Sequence, residues 1–187
     1  MAAEVAKALE SAGIEAVLTG GACATLYSKG EYQSYDLDFI LQSAVKQGQL
    51  DAAMKTIGFR RRGDRYDHPE TPFFVEFPRG PLGIGADIAI RPIKRKMGAV
   101  HVKLLSPTDS CRDRLAAFYH WKDRQSLKAA VQIARYHKVD LRLIREWSSR
   151  EGASDDCAEF LLVLKSRKTG GRAPGRAARS GESTKRR

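Results

Sequence analysis

The sequence predicts an α+β fold: an α/β-type core of mixed sheet and flanking helices, followed by a part made of helices alone. Three observations predict it. Strand and helix patterns alternate through residues 1–105. From residue 106 to residue 165 only helical periodicity is present. A length of 187 residues, 42% hydrophobic and 29% charged, suits one compact domain with a small helical appendage.

Met1–Ala12 reads as a helix, with Val5, Leu9 and Ala12 three or four residues apart and Gly13 as the stop. Ile14–Thr19 is a short apolar strand. Gly20-Gly21 follows it, and Ala22–Ser28 is helical up to Gly30. Asp36–Leu41 alternates acids with apolar residues, as a half-buried strand does. Val45–Ile57 is a helix closed by Gly58. Phe59–Asp67 and Pro72–Phe77 are expected as antiparallel strands around the turn-rich stretch between them. Pro78–Gly85 is a loop. Asp87–Ile90 and Val100–Leu105 are expected strands, with a basic hairpin at Arg91–Lys96 between them. Ser106-Pro107-Thr108-Asp109 opens a helix, with Ser106 as N-cap, Pro in the first turn and an acid at the third position. The helices Cys111–Trp121, Arg124–His137, Leu141–Ser149 and Asp155–Leu164 complete the chain. The expected organisation is a core over 1–105, a helical part over 106–165 and a basic tail over 166–187.

Composition narrows the setting. The longest apolar run is far short of a membrane span, so no membrane partner is expected. The N-terminal stretch carries Glu4 and Glu10 and lacks a basic-then-apolar leader. Cys23, Cys111 and Cys157 are odd in number and widely spaced, which reads as reduced thiols in a cytoplasmic protein. Of the net charge of +11, +7 lies in residues 166–187, where almost no apolar residue exceeds alanine. Such a tail is expected to be disordered and to attract polyanions, or only to solubilise.

The chemistry concentrates in one stretch. Val17-Leu18-Thr19 ends in Gly20-Gly21, and after fourteen residues comes Asp36-Leu37-Asp38-Phe39. Strand alternation points Asp36 and Asp38 to one face, about 7 Å apart along the strand. Two carboxylates so placed repel unless a cation sits between them, and magnesium, or manganese in its place, suits oxygen ligands that leave room for phosphate. The glycine pair lets backbone N–H groups approach a phosphate at the start of a helix. Phe73-Phe74-Val75-Glu76-Phe77 sets one acid in an apolar strand, where an unpartnered carboxylate is costly. Beside Asp36–Leu41, Glu76 would join the metal site and take a proton from an attacking hydroxyl; its alternative is a salt bridge with a nearby arginine. Ser34 either donates to a phosphate or caps the start of the strand.

This ordered set resembles the nucleotidyltransferase superfamily, the polymerase-beta-like fold: a glycine pair, Asp-x-Asp, then an acid between hydrophobic residues. Ser34-Tyr35-Asp36-Leu37-Asp38-Phe39 resembles most the small prokaryotic nucleotidyltransferases of toxin–antitoxin and abortive-infection systems. Leu105–Asp109, leading into Asp113-Arg114-Leu115-Ala116 and Arg124, is similar to the helical segment after their core. The resemblance covers about residues 10–140. It departs in a long spacer and in Thr19, where a hydrophobic residue is usual. It implies metal-dependent transfer of a nucleoside monophosphate from a nucleoside triphosphate to an RNA, such as transfer RNA, or to a protein hydroxyl. It also implies an antitoxin partner, and a phosphate-binding cation in the helical segment, where Arg114 stands, with Lys122 one or two turns later.

Other readings stay open. Arg60-Arg61-Arg62 with Arg65 and Tyr66, and the run Arg91–Lys96, either hold RNA or form solvated faces. Asp87 is the alternative third acid. His120, Trp121 and His137 read as packing or capping residues. The rival function is a non-catalytic member of the same fold that binds RNA or a partner protein; a third is a small-molecule transferase of the antibiotic-modifying type, which would need an acidic acceptor pocket for cationic drugs that the basic balance disfavours. A degenerate member would be expected to lose one of the three acids, and this chain keeps them all.

Overall fold

Seven strands form a single mixed sheet in the computed structural model, which describes residues 1–166. Helix α1 (Ala2–Ser11) leads through Gly13 into β1 (Ala16–Leu18). Helix α2 (Gly20–Tyr27) starts directly on the glycine pair, two residues before the expected boundary, and β2 (Asp36–Leu41) lies where the alternation places it. Helix α3 (Gln47–Lys55) precedes β3 (Arg60–Arg62), β4 (Arg65–Asp67) and β5 (Phe74–Glu76). Strands β6 (Ile93–Met97) and β7 (Val100–Leu104) close the sheet, in the order β3-β4-β5-β2-β1-β7-β6. Four helices follow: α4 (Pro107–Trp121), α5 (Arg124–Tyr136), α6 (Leu141–Arg150) and α7 (Ser154–Lys165).

Three expectations are corrected. Phe59–Asp67 is a hairpin rather than one strand, because Gly63 adopts φ +64° and Arg62 pairs with Arg65 across a two-residue turn. Arg91–Lys96 is not a hairpin: Ile93–Met97 is itself a strand, and the two-residue turn falls at Gly98-Ala99, with Gly98 at φ +64°. Asp87–Ile90 is not a strand. Among the described residues the Asp87 backbone pairs only with Ile84, three residues back, and its carboxylate accepts from the Ala89 N–H at 3.0 Å, so local turns take the place of a ladder. The predicted tail begins at the last described residue, so that expectation lies outside the described residues.

The sheet has two dissimilar faces. Leu37, Phe39, Val75 and Tyr66 alternate inward and are buried. Helices α1 and α3 pack together, α1 along β7 and α3 along β3. On this side the Tyr66 hydroxyl donates to Asp51 of α3 at 2.6 Å. On the other side α2 packs on β2 and is covered in turn by α4 and α5. The core is continuous across sheet and helices: Tyr27 of α2 donates to the Leu105 carbonyl at 2.7 Å, and Trp147 of α6 and Phe160 of α7 are buried in the same cluster.

The helical part also fastens the loop between β5 and β6. Ser106 caps α4, its Oγ accepting from the Asp109 N–H at 3.1 Å, as the sequence predicts. Asp109 in turn binds Arg112 at 3.0 Å, and Arg112, 2% exposed, reaches Asp87 at 2.5 Å. The Trp147 indole N–H donates to the Ile84 carbonyl at 3.3 Å, and Glu151 accepts from the Ala86 N–H at 2.9 Å. Asp87 is thus committed to a structural arginine and is not the third acid of the β2 cluster. Among the described residues no helix is long and apolar enough to cross a membrane.

Candidate active site

The register of β2 and β5 makes the site. The two strands run parallel, with Asp36 opposite Phe74 and Asp38 opposite Glu76. Because side chains alternate, Asp36, Asp38 and Glu76 all project to one face. One carboxylate oxygen from each lies within 4.8 Å of those of the other two. All three are partly buried.

Such crowding is unfavourable for three negative charges. Burial, then the charge of Glu76, pushes the Asp36 carboxyl up to about 6. Burial, then Asp36 and Asp113, pushes the Asp38 carboxyl up to about 7. Asp36 Oδ1 is buried and has no hydrogen-bond partner among the described residues. A divalent cation would satisfy that oxygen and offset the repulsion. The donors are all carboxylate oxygens, which suits a hard ion such as magnesium or manganese.

The glycines shape the other wall. Gly20 has φ +63°, and a Cβ placed on it would lie 2.0 Å from Asp38 Oδ2. A Cβ on Gly21 would lie 2.7 Å from Ser34 Oγ. The start of α2 is therefore pressed against the carboxylates at a distance that no other residue permits. Thr19 fixes this approach, its backbone N–H donating to the Asp38 carbonyl at 2.9 Å. Thr25, one turn along α2, donates to the Gly21 carbonyl at 3.1 Å and accepts from the Ser34 N–H at 3.0 Å. Ser34 Oγ accepts from the Asp36 N–H at 3.2 Å, so it caps the strand while facing Gly21.

Arg114 is brought to this region and Lys122 is not. Arg114 projects from α4, largely buried, and Asp113 holds its guanidinium at 2.7 Å. Its positive charge acts on both Asp36 and Asp38. Lys122 ends α4 in a left-handed conformation, exposed, with its ammonium on Asp156 of α7 at 2.7 Å. Sequence reasoning missed the role of Thr25; it names Thr19 only as a departure and Asp113 only within the resembling stretch, and it leaves unnamed the arginine near Glu76, which is Arg65, opposite it in register and ion-paired with Asp67. Thr25, four residues after Gly21, had a readable signal in that helical spacing. The Asp113–Arg114 pair is local, but its place beside the acids, like the approach of Thr19 to Asp38 and of Arg65 to Glu76, depends on tertiary contacts.

No protein-family model matches the sequence, and no curated protein matches it. The chain is similar in structure to an antigenic nucleotidyltransferase-like protein from Paracoccidioides brasiliensis, at 15% identity over 83% of this chain and 90% of that chain, with a TM-score of 0.50. It is also similar to the antibiotic-resistance factor ANT(2'')-Ia in solution, at 12% identity over 86% of this chain and 89% of that chain, with a TM-score of 0.49. Against ANT(2'')-Ia in complex with adenylyl-2''-tobramycin the identity is 13%, over 86% of this chain and 94% of that chain, with a TM-score of 0.49. The chain has the nucleotidyltransferase fold, as the resemblance of its motifs implies.

Proposed function

We propose that this chain is a metal-dependent nucleotidyltransferase that moves a nucleoside monophosphate from a nucleoside triphosphate to an RNA, such as transfer RNA, or to a protein hydroxyl. The observation that carries the reading is the convergence of Asp36, Asp38 and Glu76 beside a glycine pair that admits no side chain. Asp36 and Asp38 hold the divalent ion, and Glu76 completes its shell or accepts the proton of the attacking hydroxyl. When bound, the ion supplies Lewis acidity at the transferring phosphoryl group. Gly20, Gly21 and Ser34 line the phosphates, and Arg114 neutralises their charge. In this reading Arg114 takes the cationic role, since Lys122 is engaged by Asp156. Three buried free cysteines among the described residues fit a reducing, cytoplasmic setting. The Ser34–Phe39 motif supports a toxin of a toxin–antitoxin pair, whose partner would silence this site.

The test has two parts. Magnesium with the correct nucleotide raises the melting temperature, because a ligand that binds only the native state must stabilise it. Each of the four nucleoside triphosphates, labelled at the α-phosphate, is then incubated with magnesium, total RNA and cell lysate. Label entering RNA or protein identifies base and acceptor. No label and no melting shift would leave the fold as a non-catalytic binding module.

A further inference from the structure

The face that carries the three acids continues past them, and its composition changes from acidic to basic. Two rows of directly opposed residues cross the sheet there. One runs Asp38, Glu76, Arg65, Arg62, and the other runs Asp36, Phe74, Asp67, Arg60. Arg61 alternates to the opposite face, where it pairs with Asp51 of α3 at 3.4 Å. Arg60, Arg62 and Arg65 are exposed, and β3 is the edge of the sheet.

This arrangement is electrostatically unsatisfied. Arg62 and Arg65 stand directly opposite one another, and like charges so placed repel. Asp67 is shared between them, at 3.5 Å from Arg62 and 2.8 Å from Arg65. Arg60 has no ion pair among the described residues. Among the described residues Asp67 is the one carboxylate ion-paired with these guanidinium groups, and Arg62 is 83% exposed. The Arg65 guanidinium also lies over the Phe74 ring, 4.6 Å from its centroid, between the acids and the edge.

Resting on the transferase reading above, we propose that the open face of β5, β4 and β3 is the acceptor track, and that the acceptor is a single-stranded polynucleotide. Its phosphates lie along Arg65, Arg62 and Arg60, and its terminal hydroxyl reaches Glu76. Planar guanidinium groups match phosphate in a way that a hydrated surface face does not require. The Arg65–Phe74 stack offers a platform on which a base can lie. Arg62 stands two strand spacings from Glu76, about 10 Å away, so one short strand spans both. Helix α2 packs on β2 beside the acids and is covered in turn by α4, so the open part of this face lies toward β4 and β3.

The experiment uses the full chain without metal, so that binding is separated from transfer. Affinity for fluorescently labelled RNA and DNA twelve-mers of one sequence is followed across a salt series. Arg60→Ser with Arg62→Ser is compared with Arg61→Ser, which lies on the same strand but the opposite face. The double variant weakens binding and makes the slope of log affinity against log salt shallower by about 1.4, as losing two single-strand phosphate contacts does. Arg61→Ser leaves slope and affinity unchanged. Equal losses in both variants, or no loss in the double variant, would overturn the track. A double variant that loses polyglutamate binding while keeping RNA and DNA binding would overturn the polynucleotide in favour of an acidic protein. The RNA and DNA arms identify the sugar. Melting with magnesium and nucleotide keeps the two readings apart. An intact shift with oligonucleotide binding unchanged in the double variant defeats the track alone, whereas no shift and no transferred label in the unmodified chain defeat the transferase reading, and a salt slope still lowered by the double variant then leaves this face as an oligonucleotide-binding surface without an acceptor role.

Discussion

Gly20 shows how a single residue sets the chemistry. Its φ of +63° is in the left-handed region, and its missing Cβ is the space that Asp38 Oδ2 occupies. Gly20→Ala meets both problems together. The backbone alone costs about 1–3 kcal/mol, and the clash displaces Asp38. The expected result is a lower melting temperature and loss of transfer. The crowded acids give a second prediction. Asp36 and Asp38 hold protons more tightly in the native state than in the unfolded chain, with values near 6 and 7. Between pH 5 and pH 8 the native state therefore binds more protons than the unfolded one, and the metal-free protein loses stability as pH rises. Urea unfolding at pH 5 and pH 8 measures this loss, and Asp38→Asn reduces it. At this scale the sequence was informative where chemistry and strand parity coincide. Asp36, Asp38 and Glu76 were readable because an acid at alternate strand positions must face one way. Arg114 was suggested only by resemblance, and Asp113 only as its neighbour in the resembling stretch. Their relation to the acids depends on how α4 lies against α2, which no local pattern states.

Elements were legible in proportion to how far local signals agreed. Strand β2 and helix α4 have clear punctuation: alternation in the first, and Ser106 with Pro107 in the second. Strands β3 and β4 read as one strand in the sequence because the arginines surrounding Gly63-Asp64 hide the turn in a uniformly polar run. Strand β6 reads as part of a hairpin for a related reason, since Lys94, Arg95 and Lys96 give it no apolar face. Residues 87–90 had the opposite fault: apolar alternation without a ladder, because Asp87 serves Arg112 and its own backbone. This last contact is testable. Asp87→Ala leaves the buried Arg112 guanidinium with Asp109 as its one carboxylate, and loss of a charged hydrogen-bond partner costs about 1–3 kcal/mol. Denaturant unfolding should register that loss with little change in the slope against denaturant.

For the whole molecule, the division of labour follows from which face each helix covers. Helices α1 and α3 cover the apolar face of the sheet, so that α2, α4 and the acid cluster occupy the other. The helical part does not stand apart from this site: α4 supplies Arg114 and Asp113, and α6 holds the loop after β5 through Trp147 and Glu151. Sequence alone read this part as a separate run of helices, because packing between distant segments leaves no periodicity. Under the proposed function, Asp36 and Asp38 drive nucleotidyl transfer. The most direct test is transfer of label from an α-labelled nucleoside triphosphate to acceptor, in magnesium, by the unmodified chain and by Asp36→Asn with Asp38→Asn. The expected result is labelled acceptor from the first and none from the second, with both folded by circular dichroism. Equal labelling by the two proteins would contradict it.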